Sequence, residues 1–310
     1  MRTFLLRVFL FFSLTLLLFW LLTLWAETNE VKKNDYLHAI VAKHQRADSL
    51  EGTRIILTGG SNMAFGIDSK RIQDSLKLPV VNLALHAGLG LEFVCNEVME
   101  VWRPGDIVLI APEYYQSIEG QYGLQQLASS FYPEASSYFQ GSLKQFILNK
   151  IDRTRTDLRF MFYPERHAPN PVYSSDAFNK FGDVAAHLSR DRRSQLDGGS
   201  TYESVYWDGI SLLQNLIDRA KAENVCVFLT YPAYAETEYD KNKRAITRLQ
   251  QDLTSNLGET ILGTPEDHVF PDTQLYDFVY HLHTEARQQR TLTLIQLLQQ
   301  ALKKQPHCYQ

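Results

Sequence analysis

From Val8 to Ala26 the chain carries no charged residue and no polar face (VFLFFSLTLLLFWLLTLWA). At about 1.5 Å per residue such a helix approaches the roughly 30 Å of a bilayer's hydrocarbon core. After it the pattern changes. Leu37, Ile40 and Val41 recur at helical spacing among charged residues, which predicts a stalk or a first packing helix within 27–50. Four short β-branched runs follow, Arg54–Leu57, Val80–Leu83, Asp106–Ala111 and Val225–Thr230, the first two leading into glycine loops and the third introduced by Pro104-Gly105. Amphipathic patterns lie between them: Ile72 and Leu76; Phe93, Val94, Val98 and Met99; Leu212, Leu213, Leu216 and Ile217. Continuous apolar strands alternating with amphipathic helices predict an α/β fold, a parallel sheet covered on both faces, over 51–304. Residues 115–205 break the rhythm. They are rich in Tyr, Phe, Ser and Gln, with Phe160–Tyr163 and His167–Pro171 among them, and read as an insertion over the open end of the sheet. Leu292–Leu302 closes the chain as a helix.

Composition narrows the function. The 310 residues include 31 Lys+Arg against 35 Asp+Glu, with a net charge of −4 and no basic footprint, which disfavours a nucleic-acid binder. Mean hydropathy of −0.25 averages the apolar start with a polar body. Arg2 and Arg7 precede the apolar segment and Glu27 and Glu30 follow it, with Lys32 and Lys33 softening the asymmetry. This favours a cytoplasmic N-terminus and an extracytoplasmic body. Leu24 and Trp25 spoil a signal-peptidase site, so an uncleaved single-pass anchor over residues 1–26 is expected. The 3 cysteines include no Cys-x-x-Cys, which argues against a disulfide scaffold or structural zinc. Cys95 and Cys226 read as packing residues, and Cys308 as part of an exposed tail.

Candidate chemistry sits near the strand ends. Gly59-Gly60-Ser61-Asn62 ends the first strand, where glycines allow a sharp turn and parallel sheets carry their sites. Residue 63 is Met, so no Gly-x-Ser-x-Gly elbow exists. Near the other end, Asp277 and His281 are spaced to meet on one loop or helical turn, as a base and the acid that orients it must. His281 and His283, with His268 or Asp267, could instead suggest metal ligands, but no clear third ligand is placed, and none is expected. Gly88-Leu-Gly90 lacks the third glycine of a dinucleotide loop, because residue 93 is Phe, so no nucleotide cofactor is expected either.

The order of these blocks resembles the SGNH (GDSL-like) hydrolase superfamily, and more closely its membrane-anchored bacterial branch, which includes alginate O-acetylation and D-alanine transfer proteins. The resemblance runs over about 52–302. It is carried by Gly59–Asp68 (GGSNMAFGID), Val80–Leu91 (VVNLALHAGLGL), Gly105–Ile110 with Glu113 and Tyr114, Phe178–Asp183 (FNKFGD) and Asp277–Leu282 (DFVYHL). It implies a three-layer α/β/α sandwich of flavodoxin-like type. It further implies Ser61 as nucleophile, His281 as general base and Asp277 as the residue orienting it, with the N–H groups of Ser61 and of Gly88 or Ala87 in the oxyanion hole. Asn62, Asn82, Glu113 and Tyr114 become substrate-binding candidates. Two departures stand out: three residues, not two, separate Asp277 from His281, and Pro112-Glu113-Tyr114 replaces the Asn that usually completes the oxyanion hole. An ionised Glu113 beside an oxyanion would be unfavourable, so its side chain is expected to point elsewhere or to bind a sugar hydroxyl.

The expectation is an envelope-membrane acyl esterase or O-acyltransferase acting on an exported glycan or an acylated small molecule through an acyl-serine. The resemblance also implies a membrane-bound acyltransferase partner. The alternative is a catalytically inactive protein of the same fold that binds glycan or scaffolds a modification complex.

Overall fold

The computed structural model describes residues 1–27, 35–162 and 170–309. The polypeptide opens with α1 (Arg2–Glu27), in which Arg2–Leu22 is long and apolar enough to cross a membrane and is not buried against the rest of the chain. Residues 28–34, part of the expected connector, and Tyr163–Pro169 of the insertion lie outside the described residues. Where the chain resumes, a 3₁₀ turn (Tyr36–His38) leads into α2 (Ala39–Ser49). Burial of Leu37, Ile40 and Ala47 makes this a packing helix and not a free stalk.

The body is mixed α/β. Its strands β1 (Ile55–Gly59), β2 (Val80–Asn82), β3 (Ile107–Ala111), β4 (Cys226–Thr230) and a short β6 (Ile261–Leu262) form one sheet in the order β2-β1-β3-β4-β6, parallel at every pairing. A separate parallel pair joins β5 (Tyr234–Ala235) and β7 (Val269–Phe270). Neighbouring residues on a strand point to opposite faces. Ile55, Leu57, Ile107, Leu109 and Phe228 enter one core, whereas Ile56, Val108, Ile110, Val227 and Leu229 enter the other. The first face is covered by α3 (Ser61–Phe65), α4 (Ser69–Leu76) and α10 (Thr284–Lys304). The second is covered by α5 (Leu91–Val101), α8 (Gly209–Ala222) and α9 (Glu236–Leu257). Burial on both faces explains why the strands read as unbroken apolar runs.

The insertion contributes α6 (Tyr122–Phe131) and α7 (Leu143–Phe162), followed by irregular chain that returns to the end of the sheet. There Asn82 N–H donates to Phe181 O at 2.8 Å and Val184 N–H to Ala64 O at 2.8 Å. The insertion is thus woven into the C-terminal edge of the sheet. At the opposite edge Arg54 and Asp106, both buried, form an ion pair, and Arg54 also donates to Ala47 O at 2.7 Å and Val101 O at 2.9 Å.

The cysteine expectation is corrected in one respect. Cys226, at the start of β4, is disulfide-bonded to Cys308, which is buried in the terminal 3₁₀ turn and not in an exposed tail. That turn folds back beyond α10 against the start of β4, a long-range closure that no local spacing signals. Cys95 stays a free, buried thiol.

Candidate active site

The site is built at the C-terminal ends of β1 and β3. Gly59 has φ of 140°, and a Cβ there would strike the Ala111 carbonyl. A Cβ on Gly60 would fall 2.7 Å from Glu113 Oε1 and 2.9 Å from the Ala87 Cβ. Both positions need glycine if the turn is to bring the two strand ends together. Ser61 then opens α3. Asn62 Nδ2 donates to Ala111 O at 2.9 Å. From α10, the fully buried Arg290 donates to Asn62 O at 2.8 Å, Asn62 Oδ1 at 3.0 Å and Tyr231 O at 3.2 Å. Burial pulls the Arg290 guanidinium down to about 9, and its carbonyl partners accept from the charged form.

His281 and Asp277 come from the irregular segment before α10. Ser61 Oγ lies 2.9 Å from His281 Nε2, and His281 Nδ1 lies 2.9 Å from Asp277 Oδ1. The loop is shaped by its own backbone: Tyr276 N–H donates to His281 O at 2.8 Å, and His281 N–H to Phe278 O at 2.9 Å. Tyr173 O–H donates to Asp277 Oδ2 at 2.7 Å and lies 3.3 Å from His281 Nδ1. Burial pushes the Asp277 carboxyl up, but His281 and Tyr173 outweigh it and hold the group below its ordinary range. Burial pushes His281 down, with Asp277 opposing. An ionised Asp277 accepts a hydrogen bond from His281 Nδ1–H, which leaves Nε2 as a lone-pair acceptor facing Ser61.

Glu113, from the loop after β3, does not point away as expected. Its Oε1 lies 3.0 Å from Ser61 Oγ and 3.4 Å from Asn62 N. Burial raises its carboxyl to about 7 against the hydrogen bonds from Ser61 and Asn62. The other substrate-binding candidates turn out to be structural. Asn62 is buried in the contacts given above. Asn82, also buried, donates to Met63 O at 3.1 Å and Asp183 Oδ1 at 2.9 Å, and accepts from Ala84 N–H at 3.0 Å. Tyr114 is buried in the opposite core, 5.1 Å from the Tyr234 ring centre. Gly88 is not a free oxyanion donor, because its N–H donates to His86 Nδ1 at 2.9 Å. His283 lies 3.1 Å from Arg190 O through its Nε2, so His281 is the histidine that meets Ser61. His268, buried, contacts Thr230 Oγ1 at 3.0 Å. Among the described residues no cluster of three or more metal-ligating side chains occurs.

Three residues of the site escaped the sequence reading. Phe65 stacks on His281; its position four after Ser61 on a helix was the only signal. Tyr173 lies in an aromatic-rich stretch where nothing distinguishes it, and Arg290 looks like any arginine of an amphipathic helix. No family model matches the chain, and no curated protein matches it.

Proposed function

We propose that the protein is a membrane-tethered serine esterase or O-acyltransferase of the SGNH type, with the three-layer α/β/α architecture that this implies. The observation that carries the proposal is the continuous Asp277–His281–Ser61 relay, with both contacts at 2.9 Å. In the reaction, Ser61 Oγ attacks the acyl carbonyl carbon while its proton passes to His281 Nε2, and the carbonyl π pair moves onto oxygen. Collapse expels the alkoxide, which takes the proton from His281 and leaves an acyl-Ser61. Water or a sugar hydroxyl, deprotonated by His281, then attacks the acyl carbon; the Oγ–C bond breaks and His281 returns the proton to Ser61 Oγ. An uncharged acylated glycan suits the acidic balance of the chain, and an acyl-loading membrane protein is the partner we envisage. Neither a metal nor an organic cofactor is invoked.

Two features support an exported body. The apolar α1 would anchor it, and the Cys226–Cys308 disulfide suits an oxidising compartment. The non-catalytic reading draws its support from Glu113, since a carboxylate kept ionised beside Ser61 would oppose an oxyanion.

Labelling the full-length chain in detergent with a fluorophosphonate tests the proposal. An adduct at Ser61, absent from Ser61→Ala and strongly slowed in His281→Ala, is expected. Folded wild-type protein that takes up no label overturns it. A panel of acetylated sugars then distinguishes hydrolysis from transfer.

A further inference from the structure

Asp277, His281, Ser61 and Glu113 form an unbroken line of three contacts at 2.9, 2.9 and 3.0 Å. Filling every contact with one proton puts three on the line when Asp277 is ionised. One sits on His281 Nδ1 and one on Ser61. The third has two places to go. If it is on His281 Nε2, the imidazolium has no lone pair for the serine proton, and Glu113 is an anion facing the carbonyl oxygen under attack. If it is on Glu113, His281 is a free base and Glu113 is a hydrogen-bond donor. The first state cannot react and the second can.

We propose that Glu113 acts as a neutral carboxylic acid that donates a hydrogen bond to the substrate's carbonyl oxygen as it becomes an oxyanion, replacing the missing asparagine. This rests on the esterase reading of the site. In the attack step the Oγ–C bond forms, the C=O π pair goes to oxygen, and the serine proton goes to His281. The Glu113 proton stays on Glu113 and turns from Ser61 Oγ to the new oxyanion beside it. Gly88 cannot serve, being bonded to His86, and the bare glycine at residue 60 leaves room for the Glu113 carboxyl. A carboxylic acid held neutral by its surroundings is an established kind of oxyanion donor.

The surroundings favour the reactive proton position. Burial raises Glu113 and lowers His281. The phenols of Tyr36, Tyr202 and Tyr280, from the N-terminal turn, the insertion and the His281 loop, are raised by burial first and by the charge of Glu113, which keeps them neutral; Tyr36 O–H donates to Leu85 O at 2.9 Å, and the Tyr202 and Tyr280 hydroxyls meet at 3.0 Å. His86 lies at the rim and is lowered by burial and by His281. Arg290, behind Asn62, directs its guanidinium to Asn62 and Tyr231. Reactivity therefore requires a pH above the lowered value of His281 and below that of Glu113.

The test is kcat/KM for 4-nitrophenyl acetate from pH 5 to 9.5 with the detergent-solubilised full-length chain, wild type beside Glu113→Gln and Glu113→Ala, and with fluorophosphonate labelling of Ser61 measured on each. Wild-type activity should fall about tenfold per pH unit above about 7. Glu113→Ala should be down about 10²- to 10³-fold at pH 6. Glu113→Gln, whose amide donates without titrating, should recover most of that loss and hold a plateau to pH 9. A wild type active up to pH 9, or a glutamine variant that keeps the alkaline fall or is as poor as the alanine, overturns the role of Glu113 while labelling at Ser61 leaves the esterase standing. Absence of labelling at every pH overturns the esterase, and the role of Glu113 with it.

Discussion

The imidazole of His281 lies flat on the ring of Phe65, with ring centres 3.8 Å apart and planes 3° from parallel. Phe65 ends the same short helix that Ser61 begins, so one turn of chain carries both Ser61 and the wall against which His281 lies. The distance between Ser61 and His281 is then set by α3 together with the loop that bears the histidine.

Phe65→Leu keeps most of the buried volume but removes the flat face. Fluorophosphonate labelling of Ser61 should slow by about 10- to 100-fold, since a misplacement near 1 Å costs that much. Thermal unfolding should move little by comparison. A labelling rate equal to wild type would show that the stack does not position the base.

Tyr173→Phe deletes the hydroxyl on Asp277 Oδ2. The carboxylate loses a charge-assisted bond of about 1.5–3 kcal/mol and becomes more basic, which raises His281 in turn. The acid limb of the labelling-rate profile should therefore move to higher pH. An unmoved limb would mean that the tyrosine only fills space.

Acid should destabilise the fold through two buried histidines. Burial lowers His187 to about 3 and His268 well below its ordinary value. In the folded chain both stay neutral where the unfolded chain is already protonated. The unfolded state thus binds more protons below pH 6.5, and stability falls as pH drops from about 6.5 towards 3. The slope is up to about 1.4 kcal/mol per pH unit for each histidine. Urea unfolding at pH 7 and 4.5 measures it, and His187→Gln should reduce the difference. An equal pH dependence in that variant would remove His187 from the account.

Reduction should weaken the body without touching the relay. The Cys226–Cys308 bridge closes a separation of 82 residues, for which the stabilisation is typically about 2–4 kcal/mol. Cys308→Ser should lower the melting temperature and make it insensitive to dithiothreitol, whereas the wild type should fall on reduction. A wild-type melting temperature indifferent to reductant would contradict the bridge.

Strands β1, β3 and β4 were legible because burial on both faces leaves an apolar run, and Ser61 because two glycines in a row at a strand end announce a tight turn. The pairing of Asp277 with His281 was legible from spacing. The two-residue β6 offers no pattern long enough to read. The direction of Glu113 depends on the turn after β3, where Tyr115 has φ of 51° and Gln116 Oε1 accepts from Glu113 N–H at 3.1 Å; residue type alone does not encode that turn. Tyr173 and Cys308 reach their partners across 104 and 82 positions, distances over which sequence carries no local signal.

Ser61 and His281 meet across one hydrogen bond but are 220 positions apart in the chain. At a synthesis rate of about 5–20 residues per second, roughly 10–45 s pass between the making of Ser61 and the making of His281. Arg290, which pins the turn at Ser61, arrives later still. On the esterase reading, a growing chain therefore holds an ordinary, inert serine at residue 61 until its last helix is made.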